Sequence, residues 1–247
     1  MALARAREQS PLRRGRLVEA LRAGSIAGAL GTMEASCFIR ANTKLMPVAL
    51  VPEVHLHLAE ESLPIWQKTE EELGRMNVPP PYWAFAWAGG QALARYLLDN
   101  PAVVAGRRVL DLGSGSGLVA IAAAKAGAAH VLAADIDAYA LAAIGLNAGA
   151  NGVAIGTTPD DVLAGPAPTF DVVLIGDLFY ERPLAERVLA FAVAARAGGA
   201  TVLAGDPGRS YFPHDRFWQV AQYSVPVTRD LEDAEIKRTA VWRLDAG

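Results

Sequence analysis

The residues best suited to do chemistry form a glycine-rich segment, V-L-D-L-G-S-G-S-G, at positions 109–117. Gly113, Gly115 and Gly117 alternate after Asp111. Glycine lets the backbone take tight, left-handed turns and lets a ligand come into contact with it. An apolar strand pattern precedes the segment and an apolar helix pattern follows it, so the first N–H groups of the helix face a ligand beyond the strand end. The segment is therefore predicted to bind a cofactor.

Asp111 distinguishes two cofactor classes that use this geometry. Gly115, Gly117 and Ala120 satisfy a weak form of the G-x-G-x-x-G/A pattern of dinucleotide-binding proteins. A carboxylate at the strand end repels the pyrophosphate of NAD, but it attracts the ammonium group of S-adenosylmethionine, a sulfonium that carries no phosphate. The pattern D-x-G-x-G-x-G favours S-adenosylmethionine, and an NAD-binding oxidoreductase is the alternative.

Further acidic residues follow the next two predicted strands. Asp135 ends the second strand, 22 residues after Gly113, where a carboxylate binds ribose hydroxyls. Asp160 or Asp161 follows the third strand and could accept a hydrogen bond from an adenine amino group. A single acid of this kind is more often a cap or a turn residue. Acids at successive strand ends together indicate a nucleoside site.

A metal site is a weaker hypothesis. Glu53, His55 and His57 alternate as metal ligands can, yet the same alternation describes one face of a strand. No cysteine or second histidine pair accompanies them, so we expect no metal.

These residues need a scaffold that brings strand ends together, and the hydrophobic pattern predicts one. Repeated strand–turn–helix units after residue 107 indicate an α/β domain with a parallel sheet, and two last strands indicate an antiparallel hairpin. The predicted strands are 107–111, 131–135, 153–155, 170–176, 200–205, 221–227 and 239–244, the predicted helices are 89–98, 118–126, 139–150 and 183–197, and short extended pieces occupy 45–66.

Composition limits the possible functions. The chain has 247 residues, of which 52% are hydrophobic, and a net charge of −3. Residues 1–32 hold six Arg and two acids, so the rest carries −7, which argues against a broad nucleic-acid interface. One cysteine excludes an intrachain disulfide, and the longest apolar stretches are too short to span a bilayer. We therefore expect a soluble monomer that binds neither nucleic acid nor membrane.

The same pattern suggests three regions. Residues 1–32 form a flexible or targeting-like tail, residues 33–100 an extension that packs on the catalytic domain, and residues 101–247 the cofactor-binding domain. The Arg-rich tail is typical either of a bacterial chain with a flexible start or of a mitochondrial presequence. The expected location is the bacterial cytoplasm, with the mitochondrial matrix as the alternative.

With these residues in view, the chain resembles the seven-β-strand S-adenosylmethionine-dependent methyltransferases over residues 107–244. Val109–Gly117, Asp135 and Asp161 are similar to the cofactor motifs of that family. The resemblance implies a Rossmann-like, mostly parallel sheet in the order 3-2-1-4-5-7-6, with strand 7 antiparallel and helices on both faces.

A narrower resemblance concerns the substrate. Asp177–Tyr180 (D-L-F-Y) is similar to the D-x-x-Y signature of a protein-lysine methyltransferase subgroup, and Tyr82–Asn100 and Gly205–Arg209 resemble segments of the electron transfer flavoprotein beta subunit lysine methyltransferases. Ala88 departs from the proline of the W-P-G-G run in that family. The resemblance implies methylation of lysines on the flavoprotein's beta subunit, up to trimethyllysine.

Roles follow from that resemblance. Asp177 is expected to capture and orient the substrate ammonium, while Tyr180, with Phe179, forms one wall of the lysine slot. Trp83 and Trp87 could form another wall, since aromatic faces accommodate a methylated cation, and Trp87 is also assigned to the cofactor site. Ordinary core packing is the alternative for Tyr180, Trp83 and Trp87. A ribosomal-protein methyltransferase, a small-molecule methyltransferase and a non-catalytic interaction module of the same fold are the alternatives.

Overall fold

A computed structural model describes residues 33–59, 80–166, 169–227 and 235–245. Helical residues 33–42 form α1, and three short 3-10 turns accompany the longer elements. The other helices are α2 (Ala88–Asp99), α3 (Leu118–Lys125), α4 (Ala138–Ala150) and α5 (Arg182–Ala197). The strands are β1 (Lys44–Val48), β2 (Val51–Leu58), β3 (Arg108–Leu112), β4 (His130–Ala134), β5 (Gly156–Thr158), β6 (Val172–Gly176), β7 (Thr201–Asp206), β8 (Phe217–Pro226) and β9 (Ile236–Leu244).

The main sheet has seven strands in the order β5-β4-β3-β6-β7-β9-β8. Strands β5, β4, β3, β6 and β7 are parallel, and β9 is antiparallel to both of its neighbours. Counted from β3 as the first strand, the order is 3-2-1-4-5-7-6 with the seventh strand antiparallel. The predicted fold is therefore confirmed, and the carboxyl ends of β3, β4 and β6 lie side by side.

Alternating side chains on the central strands bury both faces of this sheet. On β3, Val109 packs in the hydrophobic core that contains α2 and α3, while Leu110 packs in the core that contains α5. On β6, Leu174 belongs to the first core and Val173 to the second. Strands covered on both faces must be apolar throughout, which explains the continuous hydrophobic stretch before Asp177.

Three predicted strands have a boundary that differs from the structure by three residues or more, and one of them is β9, which starts at Ile236 rather than at residue 239. The third strand was expected at 153–155, but the N–H of Val153 donates to the carbonyl of Ala148 at 3.1 Å and so completes the turn that leaves α4. Pairing with β4 begins only at Gly156. Strand β8 starts four residues earlier than expected, at Phe217, because an irregularity in its register at Gln219 interrupts the alternation that marks a strand.

The N-terminal extension is an antiparallel β1–β2 hairpin together with α1. Val54 and Leu56 of the hairpin pack with Leu118 and Ile121 of α3. The N–H of His57 donates to the Asn147 side chain at 2.8 Å. The extension is thus attached to two helices of the main domain, and its boundary at residue 100 stays a prediction.

The alternating polar residues of β2 make hydrogen bonds and an ion pair with neighbouring elements. Glu53 forms an ion pair with Arg95 at 2.8 Å, and the ring Nδ1 of His57 lies 3.2 Å from the Thr43 hydroxyl. Within the described ranges, no three His, Cys, Asp or Glu side chains come close enough to hold a metal ion. Nor does any helix in the described parts of the chain have the length and apolar character needed to cross a bilayer. The predicted tail at 1–32 lies outside the described residues.

Candidate functional site

The glycine turn lies between β3 and α3, and all three of its glycines have positive φ. The angles are 60° at Gly113, 53° at Gly115 and 82° at Gly117, which side chains rarely tolerate. A Cβ on Gly113 would lie 2.6 Å from Leu178, so this glycine is required by close packing. A Cβ on Gly115 would meet only the Cα of Trp83, at 3.9 Å. The turn is therefore open at Gly115, where a nucleoside can approach the backbone.

Asp111 is buried at the end of β3, with 1% of its surface exposed. Its Oδ2 accepts hydrogen bonds from the Ser114 hydroxyl at 2.5 Å and from the N–H of Ala120 at 3.1 Å. Burial raises the pKa of Asp111 to about 7, although these two hydrogen bonds act in the opposite direction. A buried carboxylate of this kind is stabilised in its charged form by a cationic ligand, as the sequence predicts.

Asp135 connects the second strand end to the same turn. Its Oδ2 accepts from the N–H of Gly115 at 2.8 Å, and its Oδ1 accepts from the N–H of Asp137 at 3.0 Å. Burial raises the pKa of Asp135, and its charge contributes to the raised pKa of Asp111. Two acids beside one glycine turn favour a cation and disfavour a pyrophosphate, so the residues present fit S-adenosylmethionine.

Asp161 has a different environment from the other two acids. Its Oδ2 pairs with Arg187 of α5 at 2.6 Å, and its Oδ1 accepts from the N–H of Leu163 at 3.1 Å. Asp160 accepts from the Thr158 hydroxyl at 2.8 Å. Asp161 thus caps a short 3-10 turn and holds α5. Its contact with adenine stays a prediction.

Asp177 directly follows β6 and is 8% exposed. Its φ of 55° is the one positive value recorded for a non-glycine residue in the described chain, and such conformations concentrate at functional sites. Its backbone N–H donates to the carbonyl of Gly205 at 3.0 Å. In its side chain, Oδ2 accepts a hydrogen bond from the N–H of Gly89, and Oδ1 accepts one from Arg209 Nε at 2.8 Å.

These contacts of Asp177 were not predicted. Helix α2 starts at Ala88 after Trp87, whose side chain makes no capping hydrogen bond, and the carboxylate from β6 accepts the N–H of Gly89 instead. A carboxylate at a helix N-terminus also interacts favourably with the helix dipole. The signals that point to this arrangement are the paired glycines at 89–90 and the G-D-P-G-R segment at 205–209.

Aromatic residues surround the exposed side of this site. The Trp87 indole N–H donates to the carbonyl of Tyr82 at 2.9 Å. The Tyr82 ring lies 6.1 Å from Trp87 and 6.1 Å from Tyr180, measured between ring centroids. Tyr180 is 41% exposed, and burial of the rest raises the pKa of its hydroxyl to about 12. The hydroxyl therefore stays protonated at neutral pH and can donate a hydrogen bond.

Two other aromatic residues do not form slot walls as expected. Phe179 is wholly buried and packs edge-on against Phe212 at 5.1 Å, so the expectation that it lines the slot is wrong. Trp83 is 3% exposed and stacks on Tyr139 with ring centroids 6.3 Å apart. The side chain of Phe179 packs in the hydrophobic core with residues of α5, whereas that of Tyr180 is exposed.

The fold and this site together define a class. A sheet with this strand order and reversed seventh strand, which presents a glycine turn and two acids to a cationic nucleoside, is that of the S-adenosylmethionine-dependent methyltransferases. The chain is an enzyme of this class.

Known proteins narrow the assignment. The family model of ribosomal protein L11 methyltransferase matches residues 91–199. The electron transfer flavoprotein beta subunit lysine methyltransferase of Mus musculus is 39% identical over 212 residues, which cover 83% of this chain and 82% of that protein. The ribosomal protein L11 methyltransferase of Geobacter sulfurreducens is 43% identical, but over only 51% of this chain and 41% of that protein. The chain belongs to the family of electron transfer flavoprotein beta subunit lysine methyltransferases.

Among solved structures, magnesium protoporphyrin IX methyltransferase from Synechocystis PCC 6803 with bound S-adenosylmethionine is 18% identical. It aligns over 63% of this chain and 78% of that chain with a TM-score of 0.46.

Proposed function

We propose that this enzyme transfers methyl groups from S-adenosylmethionine to lysine side chains of the electron transfer flavoprotein beta subunit. The observation that carries the proposal is the contact between the D-L-F-Y segment and the glycine turn. Leu178, between Asp177 and Tyr180, packs so closely on Gly113 that a Cβ there would lie 2.6 Å away. The segment expected to hold lysine and the turn expected to hold the cofactor are therefore one continuous site.

The turn and its acids would hold the cofactor. Asp111 would bind the ammonium group, Asp135 the ribose hydroxyls, and the backbone at Gly115 the adenosyl group. Bound S-adenosylmethionine supplies an electrophilic methyl carbon on a sulfonium. Folding has already removed water from these carboxylates, which raises their pKa values. Pairing with a bound cation would stabilise their charged forms and offset this loss of hydration.

The lysine must lose its proton before it can react. A free lysine has a pKa of about 10.4, so forming the neutral amine at pH 7 costs about 4.6 kcal/mol. Asp177 orients the lysine nitrogen, and the rings of Tyr82, Trp87 and Tyr180 exclude water from it, which lowers the pKa of the lysine. The proton leaves to water, and Asp177 and the aromatic rings then hold the neutral amine. Bound S-adenosylmethionine would supply the methyl group to the nitrogen lone pair, with the neutral thioether as the leaving group.

The test uses purified enzyme, purified flavoprotein and labelled S-adenosylmethionine, with mass spectrometry to locate methyllysine on the beta subunit. Asp177→Asn is expected to reduce methylation about 100-fold, because misplacing a reacting group has an effect of this order. Calorimetry should show little change in cofactor affinity. Asp135→Ala is the matched control, and it should weaken cofactor binding first. An equal loss of both properties in Asp177→Asn would assign that residue to cofactor binding or to the fold.

The L11 family match supports a second candidate substrate. It covers most of helix α2 and the first four strands of the sheet, β3 to β6, whereas the flavoprotein methyltransferase match extends over most of the chain. Purified ribosomal protein L11 should therefore be tested as a substrate in a parallel assay. Methylation of L11 with none on the beta subunit would replace the proposed substrate, and label found only in small molecules would exclude both.

We further propose a monomer that acts in the bacterial cytoplasm, with the mitochondrial matrix as the alternative.

A further inference from the structure

We propose that Arg209 is a positioning residue that neutralises Asp177, so that the lysine slot binds the neutral amine rather than the ammonium. This inference rests on the proposed lysine methyltransfer. It assigns a role to a residue of the G-D-P-G-R segment, which the D-x-x-Y resemblance leaves without one.

Arg209 is held on two sides by the site. Its Nε donates to Asp177 Oδ1 at 2.8 Å, and its guanidinium carbon lies 5.9 Å from the centre of the Trp87 ring. The side chain of Asp177 is 7% exposed and that of Arg209 is 22% exposed. Because little water screens this pair, the guanidinium strongly offsets the charge of the carboxylate.

The backbone around Arg209 is fixed as well. Asp206, the last residue of β7, accepts hydrogen bonds from the N–H groups of Gly208 and Arg209, both at 2.7 Å. Strands β6 and β7 are neighbours, and the N–H of Asp177 donates to the carbonyl of Gly205. The two partners are therefore held at adjacent strand ends, and the ion pair is part of the preformed site.

The chemistry explains why such a pair is useful. An isolated carboxylate beside a lysine stabilises the ammonium and raises its pKa, which opposes the reaction. An ion pair of a carboxylate and a guanidinium has no net charge, so it attracts an ammonium only weakly. The carboxylate oxygens can still accept a hydrogen bond from a neutral amine. Arg209 thus lets Asp177 orient the lysine without holding its proton. No bond to Arg209 forms or breaks in the reaction.

The pH dependence of single-turnover methylation tests this role. Saturating S-adenosylmethionine and the flavoprotein beta subunit are used between pH 6.5 and 10, with wild type, Arg209→Gln and Arg209→Lys. Arg209→Gln should raise the apparent pKa of the rate by about one unit, because an opposite charge nearby shifts a pKa by roughly 1–3 units. Its rate at pH 7 should fall about tenfold and should approach the wild-type rate at pH 10. Arg209→Lys, the matched control, keeps the charge and should keep the wild-type apparent pKa.

The outcomes separate the two proposals. Arg209→Gln activity that is lower by the same factor at every pH, with an unchanged apparent pKa, would show a merely structural ion pair and overturn the inference. If Arg209→Gln does not fold, the pH profile of Arg209→Lys provides the test. An upward shift in the apparent pKa of that variant's rate would also overturn the inference. Absence of methylation by the wild type at every pH contradicts the proposed function, and the inference then falls with it.

Discussion

Cofactor affinity should depend on pH through Asp111. Only the ionised carboxylate attracts the ammonium group of S-adenosylmethionine, and burial raises the pKa of Asp111 to about 7. Roughly 9% of the carboxyl is then ionised at pH 6 and about half at pH 7. The association constant should therefore rise about fivefold over this interval, or about 1 kcal/mol. Over the same interval the ammonium of the cofactor stays largely protonated, because its pKa is near that of an α-amino group, about 7.7–8.0.

Isothermal titration calorimetry at pH 6.0, 6.5 and 7.0 measures this dependence directly. Asp111→Asn is the principal control, and it should bind S-adenosylmethionine roughly 10–100-fold more weakly at pH 7 with a flat pH profile, since a hydrogen bond to a charged group contributes about 1.5–3 kcal/mol. Asp135→Asn, which removes the neighbouring charge, should lower the pKa of Asp111 and move the wild-type dependence to lower pH. A flat wild-type profile, or an unchanged slope in Asp111→Asn, would refute the electrostatic account of the turn.

The same residue links the stability of the cofactor-free protein to pH. The pKa of Asp111 is raised in the folded state above its unfolded value of 3.8. Its contribution to stability is therefore fully present below pH 3.8 and is lost as the pH rises through about 7. Relative to wild type, Asp111→Asn should gain melting temperature between pH 6 and pH 8. A constant difference in melting temperature over that range would contradict the raised pKa.

Two further predictions concern packing and the third acid. Gly89→Ala should destabilise the protein by about 1–3 kcal/mol in thermal unfolding, because its Cβ would collide with the carbonyl oxygen of Gly205 and lie 2.6 Å from Asp177 Oδ2. Gly90→Ala, whose Cβ would come no closer than 3.8 Å to a neighbour, is the matched control and should be neutral or slightly stabilising; equal melting temperatures would contradict the predicted collision. Asp161→Ala should weaken S-adenosylmethionine binding in calorimetry, whereas Arg187→Ala should cost under about 1 kcal/mol of stability and leave affinity unchanged, since their ion pair is exposed. Equal affinities of the two variants would remove Asp161 from the cofactor site.

The sequence by itself determined the sheet and the character of the cofactor turn. The sheet and the turn can both be predicted from short-range patterns, because a buried parallel strand must be continuously apolar and a left-handed turn needs glycine. The positive φ values of Gly113, Gly115 and Gly117 and the reversed seventh strand agree with those patterns. The sequence pattern misplaced a strand where an apolar residue belongs to the turn after a helix, as Val153 does.

Only the tertiary structure decided what Asp177 touches. Its partners Gly89 and Arg209 lie 88 and 32 residues away along the chain. The glycine pair at 89–90 and the G-D-P-G-R segment mark both regions in the sequence, but no local pattern shows that they meet at Asp177. It also decided that Phe179 enters the core while the adjacent Tyr180 stays at the surface. The physical reason is that local patterns specify which face of an element is buried, whereas contacts between strand ends depend on how the whole sheet aligns elements distant in sequence.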